Sequence, residues 1–250
     1  MLTGLTSISF RQLTADEIIA LTVKAGLDGI EWGGDVHIPP ASPKLAALVA
    51  EKTRAAGLKV LSYGSYWRCD DPAAFDGILE SAKALGAPII RVWAGSKTID
   101  EITGGEFDSI LLNVRTAAEK AAACGIGVAF EYHRGTLTQT KEGAVWLLEH
   151  LPMENVTTYW QPNPDITFEE QLQEIDDVKD RLSYLHVFAW EKGNIRFPLE
   201  HAAGKWKEYF NRAKAKAALI EFVAGDTPEQ FLADAAVLKK LAAEYACEEE

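Results

Sequence analysis

The stretch SYLHVFAW, residues 183–190, decides how the chain is read. Tyr184, Leu185, Val187, Phe188, Ala189 and Trp190 are apolar or aromatic, and a run of this length and composition predicts a buried β-strand. His186 interrupts it. A lone imidazole in such a strand is either a core residue held by a hydrogen bond or a metal ligand. What the rest of the chain places beside it settles the choice.

Working outward, seven more runs of strand length recur. They are LTSISF (5–10), GIEWGG (29–34), KVLSYGSY (59–66), IIRVWAG (89–95), GVAFEYH (127–133), VTTYWQP (156–162) and AALIEFV (217–223). Amphipathic segments with helix-start signals lie between them. Thr14 precedes Glu17 at capping-box spacing, ahead of Ile18 and Leu21. Asp71-Pro72 reads as an N-cap and first helical residue, followed at helical period by Phe75, Ile78, Leu79, Ala82 and Leu85. Thr227-Pro228 with Gln230 repeats the device before a helix carrying Phe231, Leu238 and Leu241. Gly26, Gly57, Gly86 and Gly125 stand between a helix and the next strand, where a left-handed C-cap is wanted. Eight alternating strand–helix units predict a single-domain (β/α)₈ TIM barrel over residues 1–250, with 246–250 expected as a disordered tail. No G-x-G-x-x-G follows the first strand, so a dinucleotide-binding open sheet is not supported.

Composition narrows the function. The 250 residues are 48% hydrophobic and 25% charged, as in an ordinary globular domain. The formal charge of −12 opposes binding to a phosphate backbone, and no Lys/Arg-rich run offsets it. Three scattered cysteines form no CxxC pair, which suggests neither a disulfide framework nor a zinc knuckle. The N-terminus lacks a basic region followed by a long apolar one, and no run reaches the ~20 apolar residues of a membrane span. A cytoplasmic protein without a membrane or nucleic-acid partner is expected; a homo-oligomer is allowed.

In a barrel the reactive groups come from the C-terminal ends of the strands. Glu31 ends the second strand and is followed by Asp35 and His37. Glu131 and His133 end the fifth, Gln161 and Asn163 follow the sixth, His186 sits on the seventh and Glu221 on the eighth. Glu131 and Glu221 interrupt apolar strands, and a buried carboxylate is costly unless it is paired or bound to a cation. Side chains alternate between faces along a strand, and neighbouring strands are ~4.8 Å apart. If their faces are the inward ones, Glu131, Gln161, His186 and Glu221 converge from four consecutive strands. Three oxygens and one imidazole nitrogen suit a single divalent ion such as Mn²⁺, Mg²⁺, Co²⁺ or Zn²⁺. The competing reading pairs Glu131 and Glu221 with Arg91 or Arg134 and leaves Gln161 tying down a loop. Aromatic residues, among them Trp32, Tyr66, Trp93 and Trp190, crowd the same rim, where their faces suit a sugar or polyol.

These stretches resemble the xylose isomerase-like TIM-barrel superfamily, in its sugar isomerase/epimerase branch. The likeness runs through GIEWGGDVHIPP, VAFEYHRGTLT, YWQPNP, LHVFAW and ALIEFV, across nearly the whole chain. The resemblance implies a metal held by Glu, Asp, His and Glu after the fifth to eighth strands, which here are Glu131, Gln161, His186 and Glu221. It implies that Glu131 and Glu221 also transfer protons, and that His133 and Lys192 lie near substrate hydroxyls. Two positions depart from the pattern. Gln161 replaces an Asp and removes one negative charge, and Pro164 stands where related epimerases often carry a substrate-binding His.

The expected function is a divalent-metal-dependent isomerase or epimerase acting on a sugar or polyol by proton transfer through an enediolate. His37, Trp32, Tyr66, Trp93, His133, Asn163, Trp190 and Lys192 are the expected substrate contacts. A metal-dependent lyase or dehydratase and a non-catalytic sugar-binding relative are the alternatives. A free substrate is expected over a phosphorylated one, because the last loop, AGDTPEQ, carries Asp226 and Glu229 where a phosphate would sit.

Overall fold

Eight parallel strands close into a barrel in the computed structural model, which describes residues 1–248. The order along the chain is β1 (Leu2–Thr6), α1 (Ala15–Ala25), β2 (Gly29–Gly33), α2 (Pro43–Ala55), β3 (Lys59–Gly64), α3 (Ala74–Leu85), β4 (Ile89–Val92) and α4 (Gly104–Ala122). It continues with β5 (Gly127–Glu131), α5 (Lys141–His150), β6 (Val156–Trp160), α6 (Phe168–Val178) and β7 (Leu182–Val187). A small antiparallel hairpin follows, β8 (Ala189–Glu191) and β9 (Ile195–Phe197), then α7 (Ala203–Ala213), β10 (Ala217–Ile220) and α8 (Pro228–Glu248). β10 is the eighth barrel strand; it pairs with β7 on one side and β1 on the other. The fold is the (β/α)₈ barrel that the sequence pattern predicts.

The local devices explain the boundaries. Thr14 and Glu17 form a reciprocal capping box at α1, and Thr227 Oγ1 accepts the Gln230 N–H at α8. Gly26 and Gly86 end α1 and α3 in the left-handed region (φ 68° and 73°), which spares the backbone a Cβ clash. Asp71-Pro72 does not start α3. The Asp71 carboxylate accepts the Ala73 N–H, an Asx turn that delays the helix to Ala74. The first strand runs Leu2–Thr6 instead of continuing to Phe10, because Ser7 and Ser9 spend their hydroxyls on the neighbouring strand ends: they accept the N–H groups of Gly33 and Phe222. α8 runs to Glu248, and residues 249–250 of the expected tail lie outside the described residues.

Two apolar layers hold the barrel. The outer one lies between sheet and helices and includes Leu5, Ile30, Val92, Phe130, Trp160 and Leu185. The inner one fills the lumen with Leu61, Ala129, Tyr159, Tyr184, Ala217 and Leu219. Gly4 and Gly29 keep this lumen open: a Cβ on Gly4 would lie 2.5 Å from Leu61 and 2.6 Å from Leu219. The pleat then raises the next inward residues to the C-terminal rim, so Ala129 is followed by Glu131, Tyr184 by His186, and Leu219 by Glu221. Among the described residues no helix is long and apolar enough to cross a membrane.

Candidate functional site

Directly above the apolar lumen lies a buried polar layer: Glu31 from β2, Arg91 from β4, Glu131 from β5, His186 from β7 and Glu221 just after β10. Arg91 is its hub. Its Nε donates to Glu31 Oε1 at 3.0 Å and its Nη1 donates to Glu131 Oε2. Ser62 Oγ donates to Glu31 Oε2 at 2.6 Å, and Trp93 Nε1 donates to Glu131 Oε2 at 2.6 Å. Gly64 makes room for the hub, since a Cβ there would lie 2.7 Å from Arg91 Nη2 and 2.9 Å from Glu31 Oε1.

Burial alone would push both carboxyls up. The guanidinium of Arg91 reverses this, with help from His186, and brings Glu31 down to about 2 and Glu131 well below the ordinary carboxylate range. His186 is fully buried, which pushes its imidazole down. The charges of Glu221 and Glu31, with its contacts to Glu131 and Glu221, hold it well above its ordinary value instead.

The four residues expected as ligands meet at one atom. His186 Nδ1 lies 3.3 Å from Gln161 Oε1, 3.4 Å from Glu131 Oε1 and 3.4 Å from Glu221 Oε2. Ligand atoms of Glu131, His186 and Glu221 all fall within 4.8 Å of one another. Gln161 is oriented from outside: its Nε2 donates to the Tyr132 carbonyl at 2.6 Å, which turns its oxygen inward. The donor set fits a divalent cation on two counts. Ligand atoms ~2.1 Å from a tetrahedral centre stand about 3.4 Å apart, the spacing seen around Nδ1. Three carboxylates face one guanidinium, a formal excess of two negative charges around the buried imidazole. The field that retains a proton on His186 also favours a metal ion in its place.

A cavity of ≈ 290 Å³ opens above this layer on the C-terminal face. Arg91, Glu131, Gln161 and Glu221 reach its floor, and His186 lies sealed beneath. Of the expected substrate contacts, Tyr66, Trp93, His133, Asn163 and Trp190 line it. His133 Nδ1 donates to the Arg134 carbonyl at 2.7 Å, so its Nε2 is left as an acceptor. Trp93 has little free face, because the His133 ring and the Arg68 guanidinium each sit 4.4 Å from its centre. Trp93 holds Glu131 through its N–H and does not offer an open sugar platform.

Three expected contacts lie elsewhere. Trp32 follows Glu31, so the pleat sends it outward, where it is fully buried and packs edge-on against His37. His37 is held at both nitrogens, by Ser7 Oγ and the Leu13 carbonyl, each at 3.0 Å, and burial lowers its basicity. Lys192 is exposed in the turn of the β8–β9 hairpin, outside the cavity lining. The same hairpin instead delivers Trp190 and Asn194, with Arg196 stacked over Trp190 and Phe222. Arg11 and Arg134 also line the cavity unforeseen, each paired with an acid, Asp35 and Asp165. Both follow a predicted strand end within a few residues, which was the available signal. Arg91, an arginine inside the apolar run IIRVWAG, was visible as a salt-bridge partner but not as the hub of the site.

Known structures share this barrel. The probable 3-DHS dehydratase AsbF from Bacillus anthracis superposes with a TM-score of 0.79 at 17% identity, covering 96% of this chain and 99% of that one. An L-ribulose 3-epimerase superposes at 0.74 with 15% identity, covering 100% and 98%. The IolI protein, crystallised with a bound zinc atom, gives 0.73 at 16% identity and covers 99% of both chains. No curated protein sequence matches the chain. The family model for the xylose isomerase-like TIM barrel matches residues 19–187, more than half of the chain, and the protein belongs to that family.

Proposed function

We propose that the protein is a divalent-metal-dependent enzyme that isomerises or epimerises a free sugar or related polyol. The observation that carries this reading is the convergence of Glu131, Gln161 and Glu221 oxygens on His186 Nδ1 at 3.3–3.4 Å, under a cavity of small-molecule size. A divalent ion held by these four residues would supply Lewis-acid polarisation of a substrate carbonyl. The chain's own groups do the rest. Glu221 and Glu131 come from the two outer strands of the ligand set and both line the cavity, so a carbon held between them would present one face to each. The two differ in readiness. Glu131 Oε2 is held by Arg91 and Trp93, whereas among the described residues the Glu221 carboxylate accepts no such hydrogen bond and has its ion pair with His186 Nδ1 at 3.4 Å. Glu221 is therefore the base that takes the α-proton, leaving an enediolate; Glu131, ionised at rest, takes a proton from solvent in the cavity and passes it to the opposite face, and Glu221 then releases its proton to solvent. His133 Nε2 accepts a substrate hydroxyl, and Arg91 keeps the Glu131 carboxylate in place.

Incubation with candidate ketoses and Mn²⁺ in D₂O tests the reading. Solvent deuterium at the reacting carbon is the expected result; full retention of the original hydrogen would indicate a hydride shift and remove the two-carboxylate mechanism. A second reading, β-elimination from the same enediolate, is supported by the shape likeness to the probable 3-DHS dehydratase. It would show as a conjugated, ultraviolet-absorbing product instead of an isomer.

A further inference from the structure

His186 has two ring nitrogens in different company. Nδ1 faces the oxygens of Glu131, Gln161 and Glu221. Nε2 is buried, makes no hydrogen bond of good geometry, and lies 3.5 Å from Glu31 Oε1. Glu31 is fixed from two other directions, by Arg91 Nε on Oε1 and by Ser62 Oγ on Oε2. It is 2% exposed and does not line the cavity, so it touches neither solvent nor substrate. A carboxylate walled in this way is expensive to bury, and the apolar lumen just below shows that the barrel can be filled without one.

We infer that Glu31 is a positioning residue: it takes the Nε2–H of His186 and thereby leaves the Nδ1 lone pair directed at the Glu131, Gln161 and Glu221 oxygens. The inference rests on reading those four residues as metal ligands. A carboxylate behind a ligating imidazole fixes its tautomer and ring angle and raises its basicity. Arg91 adds a constraint of its own. The same guanidinium holds Glu31 by Nε and Glu131 by Nη1, so the residue behind the imidazole and a ligand in front of it are set at a fixed separation. The Glu31 oxygen that faces His186 also accepts from Arg91, and its two lone pairs serve both.

The test uses the full chain loaded with Zn²⁺, which is diamagnetic. Histidine ¹⁵N NMR reads the His186 tautomer, and competition with a chromophoric chelator reads affinity. In the wild-type protein the proton is expected on Nε2, with Nδ1 showing coordination. Glu31→Ala should weaken Zn²⁺ about 10–100-fold, the usual effect of removing such a partner. Glu31→Gln keeps the volume but can turn an NH₂ group toward the imidazole, and should weaken binding roughly tenfold. Ser62→Ala leaves the charge but frees one carboxylate oxygen, and should have a smaller effect in the same direction. If Glu31→Ala does not fold, the Gln and Ser62 variants decide. Wild-type affinity in the folded Glu31 variants, or zinc on Nε2, would overturn the positioning role while leaving the metal reading intact. A wild-type chain that binds no Zn²⁺ would overturn both.

Discussion

Two glutamates are almost equally buried and behave in opposite ways. Glu31, 2% exposed inside the barrel, is driven down to about 2; Glu174, 3% exposed on α6, is driven up to about 7. Burial acts the same way on both. Glu31 has Arg91, His186 and Ser62 around it, whereas Glu174 packs against the outside of β6 with one donor among the described residues, Trp160 Nε1 at 3.0 Å, and the charge of Glu142 outweighs that of Lys141. The lesson is that the barrel interior maintains charge by assembling counter-charges, at positions where an apolar layer would close the lumen more simply. Charge held at such expense points to chemistry; a carboxyl that burial is allowed to drive up, as at Glu174, points to packing.

The largest effect expected comes from neutralising the charged set. Glu221→Gln or Glu131→Gln should lower turnover at least ~10²-fold, the lower end for a lost general acid or base. Steady-state kinetics on an active sugar checks it, and near-normal turnover in both variants would assign the charge to structure. Next, Arg91→Met should strip Glu31 and Glu131 of their shared guanidinium, leaving Glu31 with Ser62 and His186 and Glu131 with Trp93 and His186. Urea unfolding should show a loss of about 3–5 kcal/mol, and a smaller loss would mean that the carboxylates find other partners.

Glu174 supplies the third prediction, and its sign is opposite to that of Glu31. The folded state binds the Glu174 proton more tightly than the unfolded chain, so stability falls as pH rises from about 4.5 through about 7. At most about 3.5 kcal/mol is lost across that window, at ~1.4 kcal/mol per pH unit. Glu174→Gln keeps an acceptor for Trp160 and should flatten this part of the profile, raising Tm above pH 7 but not near pH 4. A parallel offset at all pH values would exclude the carboxyl as its source. The smallest effect is at the ligand set. Gln161→Asp restores a negative charge and should tighten Mn²⁺ on the order of tenfold where the shorter side chain still reaches. Calorimetric titration of the two proteins decides; weaker binding would show that reach outweighs charge.

How much of this was legible in the sequence follows from the kind of signal involved. Strand period, capping pairs and C-cap glycines are local, and they predicted the barrel to within a few residues. Glu131, Gln161, His186 and Glu221 were visible because the pleat that fills the lumen with Ala129, Tyr159, Tyr184 and Leu219 raises each of them one inward position higher. The same alternation sends Trp32, which follows Glu31, outward, whereas the crowding of aromatics near the strand ends pointed to the rim. His37 and Lys192 depended on loop conformation: the Ser7 hydroxyl that claims His37 and the hairpin that turns Lys192 outward are set by contacts far apart in sequence. Arg91 was seen only as a salt-bridge partner. Its role as a hub needs Glu31 from 60 positions before it and Glu131 from 40 after, a relation that only barrel closure creates.

That closure also imposes an order of events on a chain made from its N-terminus. β1 needs both β2 and β10 as neighbours, so until residues 217–220 emerge the growing sheet carries an unsealed edge at its very first strand. Glu221, the next residue made, is also the last member of the polar layer to be delivered. Sealing of the barrel and completion of its buried polar layer therefore depend on one and the same late segment, residues 217–221.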